Sequence, residues 1–86
     1  MFLHLGSDTI IPLREVIAMV DMKAARAPVN APFLDFAASR GRVTDVTDGP
    51  AKTVVLTDRG VFLSAISSLT LKKRANKLII AEDTDE

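Results

Sequence analysis

An α+β domain is the fold class this sequence predicts, with one small, mainly antiparallel sheet of about six strands and two short helices. Three observations predict it. Short apolar runs rich in Val, Ile and Leu recur between clusters of Gly, Asp and Pro. The stretch from Asn30 to Gly41 carries helix start and stop signals, and a second helical pattern follows Ser67 and Ser68.

Taken in order, Phe2 to Leu5 is a short apolar strand stopped by Gly6-Ser7-Asp8, and Thr9 to Leu13 reads as its hairpin partner. Pro12 has no N–H for a ladder, so that partner belongs at an edge or a bulge. Glu15 to Met22, "EVIAMVDM", reads as a third strand: no capping residue precedes it, and Val16, Ile17 and Val20 suit a sheet. "KAARAPV" reads as a loop. Asn30 then offers a side-chain oxygen to the free N–H groups of a first helical turn, and Pro32 is tolerated there because its missing N–H would be unpaired anyway. Gly41 supplies the left-handed cap, and Phe33, Leu34 and Ala37 form the expected buried stripe. Arg42 to Val46 is a strand, Lys52 to Thr57 ("KTVVLT") the clearest strand, and Asp58-Arg59-Gly60 a tight turn into "VFLSA". From Ser67 or Ser68 as N-cap, a helical projection puts Leu71, Ala75, Leu78 and Ile79 on one arc of roughly 100°.

The chain has 86 residues, so a single domain is expected over residues 1–80, followed by an acidic, disordered tail over 81–86. A core this small gains from oligomerisation. There is no cysteine, which removes disulfides and thiolate metal sites. "MFLHLGSD" lacks the basic start of a signal peptide, and no apolar run nears the roughly 20 residues of a membrane span. A soluble cytoplasmic protein is expected, with no membrane partner.

Catalytic chemistry finds little support. His4 is the single histidine, and it lies in a strand; Ser64, Ser67 and Ser68 lack the Gly-x-Ser-x-Gly context of a nucleophile elbow. One histidine and scattered acids do not make a metal shell, and Gly6, Gly41, Gly49 and Gly60 each sit singly at a turn instead of forming a phosphate loop. No enzyme activity, cofactor, metal or small-molecule substrate is expected.

Charge is where the sequence is uneven. The formal net charge is zero, yet residues 59–81 hold five cations (Arg59, Lys72, Lys73, Arg74 and Lys77) and no acid, while 82–86 hold four acids. On the helix that follows Ser68, Lys73 and Lys77 lie opposite the apolar arc, with Lys72 and Arg74 at its flanks. Late cations also complement the helix dipole, so a solvated helix face accounts for the same pattern.

A resemblance adds to this. "FLHLGSD", "REVIAMVD" from Arg14 to Asp21, "FLDFA" from Phe33 and above all "KTVVLTDRGVFLSAISSLTLKKR" from Lys52 to Arg74 resemble the RemA/RemB family of bacterial extracellular-matrix (biofilm) gene regulators, and within it the RemB-like branch. The likeness covers most of residues 1–78. It implies a DNA-binding transcriptional regulator that closes into a homo-oligomeric ring and meets duplex DNA through repeated basic surfaces. Arg14 and Lys52 stand where family members have basic residues, while the paired arginines of RemA-like members are replaced by Gly49-Pro50. Few phosphate contacts per subunit bind weakly and with steep salt dependence; repetition around a ring raises avidity by a factor on the order of 10²–10⁴. The expected DNA contacts are Arg14, Lys52, Lys72, Lys73, Arg74 and Lys77. No aromatic platform for single strands and no side-chain set for base readout is evident. A protein-interaction or scaffold module, partnering a DNA-binding paralogue, is the alternative that zero net charge and Gly49-Pro50 favour.

Overall fold

The computed structural model describes the backbone of residues 1–84 and the side chains of residues 1–77. The strands are β1 (Phe2–Gly6), β2 (Thr9–Pro12), β3 (Val16–Asp21), β4 (Val43–Asp45), β5 (Thr53–Thr57) and β6 (Gly60–Ser64). The helices are α1 (Met22–Arg26), α2 (Ala31–Ser39) and α3 (Ser68–Thr84), and a single 3₁₀ turn spans Leu13–Glu15. The α+β class stands.

The strands divide between two sheets, where one was expected. β1 and β2 pair only with each other, antiparallel, while the larger sheet has the order β3-β5-β6-β4. In the larger sheet β3–β5 and β5–β6 are antiparallel and β4–β6 is parallel. The parallel pair follows from the connection: the chain leaves β3 at one edge and crosses through α1 and α2. It then enters the opposite edge pointing the same way.

Strand β5 is the centre of the molecule because its side chains are wanted on both faces. Val55 packs with Leu3, Leu5, Ile11, Val46 and Leu71, under the hairpin and α3. Its neighbour Val54 packs with Met22, Ala25, Ala37 and Val61, under α1 and α2. The period-2 alternation of a strand thus feeds two cores from consecutive residues. On α3, Leu71 is fully buried and Ala75 nearly so, as the helical projection anticipates. Leu78 and Ile79, together with the expected acidic tail, lie outside the residues whose side chains are described.

Local chemistry explains where reading and structure part. The stretch read as a loop after Met22 begins with a helical turn, because the Asp21 carboxylate accepts the Lys23 N–H at 2.9 Å and caps it. Asn30 does not cap α2 with its side chain; its Nδ2 instead donates to the Ala24 carbonyl at 2.8 Å, tying α1 to the start of α2. Phe33 is not buried: α2 rests on the sheet through Ala37 and half-buried Leu34, leaving Phe33 and Phe36 more than half exposed. Ser67 is the cap of α3, its Oγ accepting the Thr70 N–H at 3.2 Å.

One buried serine joins the two sheets. Ser64 is fully buried; its Oγ donates to the Leu5 carbonyl at 2.7 Å and accepts the Ile66 N–H at 3.1 Å. Ser64→Ala leaves both backbone groups without that partner, so a loss of about 1–3 kcal/mol is expected in denaturant unfolding.

Candidate nucleic-acid interface

Six cations were singled out from the sequence, and the fold places them in three groups. All six are exposed. Arg14 sits on the 3₁₀ turn between β2 and β3, and this turn is held at both ends. The Leu13 N–H donates to the Met1 carbonyl at 2.9 Å, and the Asp58 N–H reaches the Glu15 carbonyl at 3.3 Å. Arg14 therefore projects from a rigid corner beside the Val16–Thr57 end of the sheet.

Lys52 lies at the other end. Its N–H donates to the Ser64 carbonyl at 2.8 Å and its carbonyl accepts the Met22 N–H at 2.9 Å, so its backbone extends β5 between the ends of β3 and β6. The strand between these two ends, Val16 to Asp21, spans roughly 17 Å at about 3.3 Å per residue. Arg14 and Lys52 are thus not one cluster within a single copy. They mark opposite ends of its sheet.

Lys52 has neighbours that sequence reasoning passed over. Lys23 and Arg26 of α1, with Asp21 and Ser67, line the same surface depression as Lys52. Three cations gather there, and one carboxylate, whose Oδ1 is engaged by the Lys23 N–H. The signal existed only in the pairing of β3 with β5: Asp21 sits opposite Thr53, which brings the start of α1 beside Lys52. A single sequence does not announce that register.

The loop leading to Lys52 is pinned by short-range bonds. Thr47 donates its backbone N–H to Asp45 Oδ1 at 2.9 Å, and its hydroxyl lies 2.6 Å from the same oxygen and 2.7 Å from the Gly49 carbonyl. The Thr47 hydroxyl first, and then its N–H, hold the Asp45 carboxyl below the ordinary aspartate range. Gly49 and Pro50 are both exposed in this loop, and the position of Gly49 has open space around it.

The third group is α3. Leu71 and Ala75 turn inward, and Lys72, Lys73, Arg74 and Lys77 stand in solvent. Arg74 and Lys77 lie against Phe2, Leu3 and His4 of β1, and Arg74 Nη1 makes a long 3.4 Å contact to the His4 carbonyl. His4 itself is exposed on the outer side of the hairpin.

Two further arginines, Arg40 and Arg42, rim a groove beside α2, and Arg59 makes a 3.6 Å ion pair with Glu15. Among the described residues that is the one ion pair. Among them, too, no group of three or more His, Cys, Asp or Glu could hold a metal ion, and no helix is long and apolar enough to cross a membrane.

The fold and surface define a small α+β domain whose polar chemistry is concentrated in exposed, mostly unpaired cations. Comparison with known proteins then places it: the chain belongs to the RemA-like family of extracellular matrix regulators. The family profile described as "Extracellular matrix regulatory protein A-like" matches residues 2–75. Extracellular matrix regulatory protein B of Bacillus subtilis (strain 168) is 35% identical over 75 residues, covering 87% of this chain and 90% of that protein. The profile match ends at residue 75, before the acidic segment.

Proposed function

We propose that this chain is a non-enzymatic, DNA-binding transcriptional regulator of the extracellular-matrix type, acting in the cytoplasm as a ring-shaped homo-oligomer. The observation that carries the reading is the state of its cations. Arg14, Lys52, Lys72, Lys73, Arg74 and Lys77 are all exposed, and the one described ion pair uses none of them. Unpaired cations on rigid elements are what a phosphate backbone requires, since each contact releases counterions and carries no base information.

The distribution of these cations supports assembly as part of the function. With Arg14 and Lys52 at opposite ends of one sheet, a head-to-tail neighbour can bring one copy's Arg14 end towards the next copy's Lys52 end. Two dissimilar apolar patches support the same geometry: Phe2 and Ile10 are exposed on the hairpin, and Ile17, Phe33 and Phe36 on the α2 side of the larger sheet. Different patches on different sides favour a heterologous contact, which closes into a ring when the rotation allows.

The test combines mass and salt dependence. Light scattering should give a defined multiple of the 9.3 kDa chain. Titration with duplex DNA at two salt concentrations should show affinity falling with a log–log slope of about 0.9 for each phosphate neutralised. A monomer with no DNA affinity at low salt would overturn the reading. The Gly49-Pro50 sequence favours a second one, a scaffold that binds a DNA-binding paralogue; a stable complex with such a paralogue, without DNA affinity of its own, would support it.

A further inference from the structure

The acidic end of this chain and the groove beside α2 are chemically matched. The groove, about 680 Å³, has Ile17, Phe33, Phe36 and Leu56 among its apolar walls and Arg40 and Arg42 on its rim. Ile17 is 68% exposed, Phe36 59% and Phe33 52%, so its aromatic and aliphatic surface stands open to water. The Arg40 guanidinium lies 5.0 Å from the Phe36 ring centroid, a cation–π contact that steadies it while its N–H groups remain free at the edge. Asp58 is the one carboxylate lining the groove, against two arginines.

The segment Leu78-Ile-Ile-Ala-Glu-Asp-Thr-Asp-Glu86 carries the complementary chemistry in order, three large aliphatics and then four acids within five residues. It lies beyond the residues that match the family. The last turn of α3 has no basic residue, although Glu82 and Asp83 stand where the helix dipole disfavours anions. A cation supplied from elsewhere would relieve that conflict.

The groove of the same copy is out of its reach. α3 packs on the hairpin side of the larger sheet, while the groove is on the α2 side. A helix that continues to Thr84, rising about 1.5 Å per residue, leaves no slack to round the sheet edge. We propose that the acidic end of α3 from one copy seats in the α2 groove of the next, its aliphatic residues on Phe33 and Phe36 and its carboxylates on Arg40 and Arg42. The proposal rests on head-to-tail self-association and names the latch that sets its strength and salt sensitivity.

The test is a charge exchange in the full chain. One variant neutralises the acids (Glu82→Gln, Asp83→Asn, Asp85→Asn, Glu86→Gln). A second reverses the groove (Arg40→Glu, Arg42→Glu), a third reverses the acids (the same four to Lys), and a fourth combines both reversals. Sedimentation velocity reads the assembly midpoint, with thermal melts to show that each variant folds. The neutralised and singly reversed variants should need about tenfold or more protein to assemble, and the double reversal should return to within about threefold of the wild type. Asp48→Asn, at an exposed loop position outside the groove, should change nothing. Wild-type assembly in the neutralised variant overturns the latch while leaving the ring intact. So does loss of DNA affinity in the groove variant with unchanged assembly, which would assign Arg40 and Arg42 to DNA. If the wild type is monomeric, the ring reading fails separately. A labelled peptide of residues 76–86 then decides: binding to the neutralised chain that weakens at least about fivefold with Arg40→Ala and Arg42→Ala supports the latch, and no binding overturns it.

Discussion

Arg14→Ala is expected to weaken duplex DNA binding about equally on unrelated sequences and to flatten its salt dependence. Arg14 is exposed, its turn is pinned by backbone bonds on both sides, and its acidic neighbour Glu15 is engaged by Arg59. A phosphate contact contributes about one unit of salt slope and no base preference. In a ring the loss recurs at every copy touching the DNA, so affinity should fall by about tenfold or more where one isolated contact would be worth less. Fluorescence anisotropy on two unrelated duplexes, each at several salt concentrations, measures both effects. An unchanged slope, or a loss confined to one sequence, would remove Arg14 from the phosphate-binding set. Arg59→Ala is the informative companion: it frees Glu15 beside Arg14, and it should weaken binding through that released carboxylate.

The largest effect on stability is expected at Gly60→Ala. Gly60 opens β6 with φ +149°, and a Cβ there would stand 2.8 Å from the Arg42 carbonyl oxygen. That carbonyl cannot easily yield, because it accepts the Val61 N–H at 2.8 Å in the only parallel pairing among the described strands. Backbone strain and the clash together should remove about 2–4 kcal/mol. In a domain of this size each kcal/mol is worth about 4–8 °C in Tm, so the variant should melt far below the wild type. Gly49→Ala is the control: its site is open and its φ is not in the left-handed range, so a change within about 0.5 kcal/mol is expected. Equal melting of both variants would show that β4 and β6 do not approach as described.

What could be read from the sequence follows the range of the interactions involved. "KTVVLT" and its turn at Asp58-Arg59-Gly60 are local signals, and β5 and β6 lie where they indicate. The Ser67 cap and the inward placing of Leu71 and Ala75 are local too, set by helical spacing within a few residues. The short helix α1 escaped because a five-residue helix has little propensity of its own; Asp21 and the packing of Met22 and Ala25 make it. The division into two sheets depends on which strands choose each other, a non-local matter. So does the exposure of Phe33, which follows from how α2 rests on the sheet. The site divides the same way. The α3 cations were visible as a run, whereas Arg14 and Lys52 rested on family likeness. The gathering of Lys23 and Arg26 around Lys52 required the β3–β5 register.

The core that shelters under the hairpin draws on both extremes of the described chain: Leu3 and Leu5 come from β1, and Leu71 from α3. During synthesis on the ribosome these partners emerge at different times. The β1–β2 hairpin leaves the exit tunnel first, too small to be stable by itself, and the larger sheet with α1 and α2 follows. Only when α3 has cleared the tunnel can Leu71 close over Leu3 and Leu5. Until then the nascent chain holds an uncovered apolar sheet face. Any delay before α3 clears the tunnel therefore prolongs the stage most prone to aggregation.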